Sequence, residues 1–516
     1  MATIVQLTLF PVVSQADQWW PTTPTDQSQV IIGVSDVQNV VALSDIEGLI
    51  NNGLASESLC SGYQSTGDCQ YGAPGETAAA NIVLPVCTSP SQTDCIVSVS
   101  VGSSAAALQP ATFIRQTQGA SVTADPTYGL PAGSTIGLWS STVPSGGGTT
   151  TYAASVSLNY LFSGGHFVPR FMAASIQPYS VISGSQFSTP SVFEVTDPTT
   201  GRLLVAWSAT PQSCAWEESG LCGVRQDLSP GTVASMTIRL TNQVGGWFFG
   251  RMQNPTMSVS KFDSATNVLT VTAGSVQVPE LELTSPYPNI APDFQKFIAG
   301  LSPPRQPSGG FYLVSGPTLG SAFSAIGDLR SDATDTSTAV VNVWSFNSIG
   351  LSAGNSCMAD TSLIDGMVTT NAMAYSGAVP TFNNGYLSYQ VAGMHYLPGG
   401  SLTPGSYDLI MADSVARCLY NFSNAPISAT VSITNDSSGN QNVATTNVTD
   451  INGWLHVSAL GFTFSDPIIQ VHLTEQAVSK PPVTKVSIVC VSIKNPRLKK
   501  RIVGVHPRCP AGYKRR

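Results

Sequence analysis

The sequence predicts a mainly β protein: two antiparallel β-sandwich-like domains, few short helices and a C-terminal disulfide-stapled basic β-hairpin. Three observations carry this. Short alternating or β-branched runs recur along the chain, clusters of Gly, Pro, Asn, Asp and Ser separate them, and ten cysteines fall in neighbouring pairs. The runs are Ile82 to Val86, Ile96 to Val101, Ala153 to Leu161, Leu203 to Trp207, Thr232 to Leu240, Val268 to Thr272, Ala339 to Val343, Ala429 to Ile433, Leu455 to Leu460 and Ile468 to Leu473. Helical pattern is scarce. Its best candidates are Ser44 to Asn51 and Ile290 to Leu301, the latter with Pro292 at a first-turn position and Gly300 near its end. Alternating βαβ units are absent, which argues against doubly wound and barrel α/β folds.

Taken in order, residues 1–30 read as a leader segment. Ile4 to Val13 is apolar and Ser14-Gln15-Ala16 resembles a cleavage site, yet no Lys or Arg precedes it. A clipped leader and a first strand of the mature chain both fit. Residues 31–255 read as an N-terminal β domain that closes after the Gly-rich Val244 to Gly250. Residues 256–310 read as a strand plus a Pro-rich connector with a short helix, and 311–480 as a C-terminal β-sandwich domain. Residues 481–516 form the basic hairpin tail.

Composition places the chain outside the cytosolic norm. Charged residues make up 10%, against about 25% in ordinary soluble domains. No run of about 20 apolar residues exists, so the sequence offers no transmembrane segment. The cysteines pair by spacing as Cys60/Cys69, Cys87/Cys95, Cys214/Cys222, Cys357/Cys418 and Cys490/Cys509. None shows the C-x-x-C spacing of a zinc or redox site, so an even count reads as five disulfides and an oxidising compartment. The expected location is secreted or cell-surface associated.

The search for chemistry returns no catalytic residue, no cofactor and no metal. Gly350-Leu351-Ser352-Ala353-Gly354 matches the nucleophile elbow, with Val341 to Phe346 as its strand and His395, His456 or His472 as a base. The surrounding pattern is not α/β, so a Gly/Ser turn is the better reading. Asp328, Asp332 and Asp335 could line a calcium loop, but EF-hand spacing is missing. Among the tryptophans, Trp207, Trp247, Trp344 and Trp454 sit in apolar strands and read as core. Trp216, within the Cys214/Cys222 loop, is a possible exposed aromatic for sugar stacking.

The sharpest feature is charge asymmetry. From Lys480 to Arg516 the chain holds 11 of its 22 Lys+Arg and no acid, leaving 11 cations against all 30 Asp+Glu elsewhere. Alternation predicts a strand over Lys485 to Lys494, a basic turn at Arg497 to Arg501 and a return strand over Ile502 to Val505, bringing Cys509 to Cys490. Lys494, Arg497, Lys499, Lys500, Arg501, Arg508, Lys514, Arg515 and Arg516 are the candidate contacts for an anionic polymer or glycan of the cell envelope. Nucleic acid satisfies the same charge, but an exported protein meets little of it and the acidic body repels a phosphate backbone. A merely solubilising tail is the plain alternative.

Several segments together resemble a family of uncharacterised, secreted, β-rich actinobacterial proteins. They are Val244 to Met252 with Asn254-Pro255, Gly405 to Met411, Asp413 to Tyr420, Ser423 to Pro426, Asn452-Gly453-Trp454 and Gly461 to Ser465. The finish Cys509-Pro510-Ala511-Gly512-Tyr513-Lys514 is similar to the family's Cys-Pro-x-Gly-Tyr-basic tail. The resemblance covers residues 200–516 and implies an extracytoplasmic, surface-associated protein; it supplies no catalytic residues. The expected role is therefore structural or binding, at the envelope. A secreted hydrolase acting on carbohydrate is the alternative, because its two carboxylates would come from distant strands and leave no local signature. A capsid or surface-assembly subunit is the third.

Overall fold

The computed structural model describes residues 29–34, 44–49, 59–60, 77–119, 121–183, 192–196, 203–207, 216–218, 220–241, 246–290, 292, 295, 311–314, 317–318, 321–349, 355–358, 364–376, 379–423, 426–435, 445–464, 467–475 and 485–516. The protein is mainly β, as its alternating runs predict, and antiparallel pairing dominates. The chain divides into two compact units, Met1–Asn421 with Ala429–Leu473, and Phe422–Ser428 with Thr474–Arg516. All ten expected strand runs fall on or overlap observed strands.

The larger unit is built as stacked sheets. A 15-stranded sheet runs through Thr77–Val83, Thr151–Ser163, His166–Ser183, Ser345–Ile349, Gly246–Arg251, Ile364–Thr370, Gly405–Ala412 and Trp454–Phe462. Strands from residues 31–255 and from 311–480 thus lie in one hydrogen-bonded sheet. A five-stranded sheet, centred on Asn267–Gly274 and Val233–Leu240, covers one face of it. Met236, Ile238, Leu269 and Val271 of the smaller sheet share one core with Val156, Leu158, Met172, Phe248, Phe346 and Ile410 of the larger. The sequence writes this layer directly. Val233–Leu240 alternates inward and outward residues, and its outward hydroxyls pair across the strands, Ser235 with Thr272 at 2.7 Å and Thr237 with Thr270 at 3.0 Å.

Aromatic residues face the opposite side of the large sheet. Phe249 meets Tyr375 at 5.9 Å and Tyr407 meets Tyr389 at 5.8 Å, which seats a six-stranded sheet holding Tyr386–Ala392 there. With a layer on both sides, Gly246–Arg251 and Gly405–Ala412 are buried almost throughout. Such strands read as continuous apolar runs and lose their alternation. This is why the Gly-rich Val244 to Gly250, expected as a domain closure, is instead a central strand from Gly246 onward. Gly250 is needed there because an added Cβ would lie 2.3 Å from the Ser345 carbonyl oxygen.

The expected helix over Ser44 to Asn51 is corrected: Asp45–Leu49 is a strand pairing with Thr77–Val83. Five residues beside a paired neighbour gain ladder hydrogen bonds that an isolated short helix could not match. The Ile290 to Leu301 candidate lies outside the described residues, apart from Ile290, Pro292 and Gln295. Two described helices that the pattern did not announce are Ser321–Asp332 and Asp413–Tyr420. The second ends on Asn421, whose left-handed φ of 53° lets its N–H reach the Arg417 and Cys418 carbonyls.

Three expected disulfides are present. Cys87–Cys95 closes a short loop, Cys357–Cys418 ties a 3-10 turn to the Asp413–Tyr420 helix, and Cys490–Cys509 staples the tail. The other two expected bridges are not among the described disulfides, because one partner of each lies outside the described residues. For the first, Cys60 ends the strand Leu59–Cys60 and pairs in register with Ile46, while Cys69 is the undescribed partner. For the second, Cys222 lies on the strand Leu221–Arg225 with its backbone between Ile182 and Glu217, and Cys214 is the undescribed partner. Within the expected loop, Trp216–Glu218 pairs antiparallel with Leu221–Arg225. Among the described residues no cysteine is free, and no helix is long and apolar enough to cross a membrane.

Candidate anion-binding surface

The basic tail folds as a three-stranded antiparallel sheet, one strand more than the expected hairpin. Val486–Ser492 lies in the centre, flanked by Lys499–Gly504 and Tyr513–Arg515. The first connection is a tight turn at Asn495-Pro496. The Leu498 N–H donates to the Asn495 carbonyl at 3.0 Å, and the Arg497 N–H to Asn495 Oδ1 at 3.1 Å. Pro presets φ for this turn and Asn caps it. The return strand therefore starts at Lys499, and the expected basic turn over Arg497 to Arg501 is corrected: Lys499, Lys500 and Arg501 belong to a strand.

The finish Cys509-Pro510-Ala511-Gly512-Tyr513 makes the third strand. Tyr513 N–H donates to the Pro510 carbonyl at 3.0 Å across a turn whose third residue, Gly512, has φ +82°. That conformation favours glycine, and nothing lies near an added Cβ, so the requirement is backbone geometry alone. The Cys490–Cys509 bridge, Cα–Cα 5.6 Å, then holds this turn against the central strand.

Register decides where the charges point, because directly opposed residues share a face. Val491 is opposed by Lys499 on one side and Lys514 on the other, and Val489 is opposed by Arg501. The Arg516 N–H reaches the Val489 carbonyl at 3.0 Å and continues the Lys514 face. One open face thus carries Lys499, Arg501, Lys514 and Arg516 around Val489 and Val491. The strand geometry spaces these cations about 7 Å along a strand and about 10 Å across the central one. Arg501 is steadied by a 2.6 Å bond from Nε to Ser487 Oγ. The reverse face buries Ile488 and Cys490 and carries Lys500 and Arg515 opposite Cys490. Lys500 Nζ lies 5.0 Å from the centre of the Tyr513 ring. Lys494 and Arg497 occupy the turn, and Arg508 precedes Cys509. All nine candidate cations are exposed, as is Lys485, and residues 485–516 contain no Asp or Glu. Mutual repulsion at these spacings is only partly screened at physiological salt, so an arriving polyanion relieves it.

Trp216, the possible exposed aromatic, is corrected: it is 4% exposed, in a cluster with Ile136, Leu138, Ala153 and Tyr179. Its ring edge packs against Tyr179 at 5.4 Å. Trp247 and Trp344 are core, as expected. Residues 350–354 lie outside the described residues. The three histidines considered beside them have different partners. His472 stacks near Tyr386 and Tyr420, and the His456 ring bonds the Pro255 carbonyl. The Asp335 carboxylate takes the His395 N–H at 2.9 Å and also engages its Nδ1. Asp335 thus orients a histidine.

Among the described residues three acids are buried, Glu280, Asp365 and Asp408, and the sequence flagged none of them. Asp408 sits in the interior, where Oδ2 accepts the Asn254 N–H at 3.0 Å and Oδ1 accepts the Ser458 hydroxyl. Burial raises its pKa from 3.8 to about 6, against the lowering effect of those two bonds. The pKa of His456, two register pairs away, is lowered by its own burial. Together they hold the Asn254-Pro255 bulge of the five-stranded sheet against the large one. Alternation in Gly405–Ala412 would have flagged an inward Asp only if the strand had been known to be covered on both faces. No family model, curated protein or solved structure matches this chain.

Proposed function

We propose that this is an exported, cell-envelope-associated protein with a structural or binding role, whose C-terminal basic sheet contacts an anionic envelope polymer. One observation carries the reading: Lys499, Arg501, Lys514 and Arg516 project from a single open face of a disulfide-stapled sheet. A solubilising tail needs charge but no register. The disulfides support an oxidising compartment, which fits export. The chain as a whole carries a formal −8, so retention on an anionic matrix reports a local surface rather than bulk charge.

The test is salt-dependent retention of the full chain on isolated envelopes and on an immobilised polyanion. Replacing Lys499, Arg501, Lys514 and Arg516 by Gln should shift elution to lower salt and flatten the log–log salt dependence. The slope should fall by roughly 0.7–0.9 for each cation that no longer neutralises the polymer, if counterion release resembles that from nucleic-acid phosphates. Identical elution of the quadruple variant and the wild type would rule the surface out.

A further inference from the structure

We infer that one end of the basic sheet docks on an anionic lipid bilayer, seating Ile493 and Leu498 among the headgroups while the surrounding cations pair with them. This rests on the reading of the sheet as an anion-binding surface, and takes a layer of lipid headgroups in place of a polymer as the anion. Ile493 is 63% exposed and Leu498 55%, and they flank the Asn495-Pro496 turn. The Ser492 N–H bonds the Leu498 carbonyl at 3.0 Å and the Ile493 N–H bonds the Gly512 carbonyl at 2.9 Å. Those two bonds bring Ile493, Leu498 and the start of the Tyr513–Arg515 strand to the same end. Lys494 and Arg497 lie within the turn, Lys499 follows Leu498, and Lys514 follows the half-buried Tyr513.

A hydrophilic wall polymer or acidic glycan would leave Ile493 and Leu498 in water. A bilayer surface offers negative headgroups and an apolar boundary a few ångströms below them, which is the combination presented here. Each cation at such a surface strengthens partitioning about fivefold. Half-burying Ile493 and Leu498 adds about tenfold or more together.

The experiment compares the full chain with Ile493→Ser/Leu498→Ser on phosphatidylglycerol-containing vesicles, on pure phosphatidylcholine vesicles and on soluble polyphosphate, all at physiological salt. The expected result is a loss of about tenfold or more on the anionic vesicles, with polyphosphate binding kept and phosphatidylcholine binding weak throughout. Equal vesicle binding by variant and wild type overturns the docking inference and leaves the polyanion surface standing. Wild-type binding to polyphosphate but not to vesicles also overturns it. Wild-type binding to neither removes the polyanion surface as well. Should the double variant lose polyphosphate binding too, Leu498→Trp decides. Brominated phosphatidylglycerol must then quench it beyond the wild-type signal, and no added quenching overturns the inference.

Discussion

Replacing Asp408 by Asn should stabilise the protein at neutral pH and leave it unchanged in acid. The carboxyl is buried between two sheets, and burial raises its pKa from 3.8 to about 6. Between roughly pH 4 and 6 the folded state therefore keeps a proton that the unfolded chain has already released. Stability contributed by this group is fully present below the unfolded value, falls as pH rises through the window, and is level above it. The full difference is about 3 kcal/mol as an upper bound. Asn mimics the protonated form: its oxygen can accept the Asn254 N–H and its amide can donate to Ser458 Oγ. The variant should match the wild type near pH 4 and exceed it by about 2–3 kcal/mol at pH 7. For a unit of this size that is a rise of about 2–3 °C in Tm. Calorimetry of both proteins from pH 4 to 8 reads it, and every other titrating group is common to the pair. Parallel Tm curves, or a less stable variant at pH 7, would refute the reasoning.

Arg251 is fully buried, with its guanidinium donating to the Thr370, Ala372 and Met373 carbonyls and lying 4.3 Å from the Tyr375 ring centre. Arg251→Met strands those acceptors and should cost about 3–5 kcal/mol, seen as a lower Tm; an unchanged Tm would show the carbonyls satisfied otherwise. Gly250→Ala forces a Cβ to 2.3 Å from the Ser345 carbonyl oxygen and should destabilise by about 1–3 kcal/mol, with a wild-type denaturation midpoint counting against the close approach. Cys490→Ser/Cys509→Ser opens a bridge spanning 19 residues, worth about 3 kcal/mol in the chain-entropy picture. Hydrogen exchange over Val486–Ser492 should quicken and polyanion retention should weaken; unaltered protection of those amides would mean the sheet holds without its staple.

Strands on a half-covered sheet were legible. Val233–Leu240 and Asn267–Gly274 show their alternation because one face meets the core and the other meets water. Gly246–Arg251 was not legible as a central strand, because covering both faces erases the alternation and its glycines resemble a loop. His166–Ser183, the longest described strand at 18 residues, hides behind Pro169 and Pro178. A register shift between Pro169 and Phe171 lets the ladder continue past the first of them. Trp216 misled for a related reason: polar neighbours in sequence say nothing about the aromatic cluster that closes over it.

The tail shows the division most clearly. Its charge, its paired cysteines and its alternating strand are local properties, and the sequence alone determined them: a basic, stapled β segment joined to an acidic β body. Which cations act together was decided only by tertiary structure. The Asn495-Pro496 turn and the Gly512 turn set the register, and register assigns each side chain to one face or the other. A slip of one residue in the Lys499–Gly504 strand would send Lys499 and Arg501 to the buried side and bring Lys500 and Ile502 to the open one. Net charge is blind to that difference, and a bound anionic surface is not.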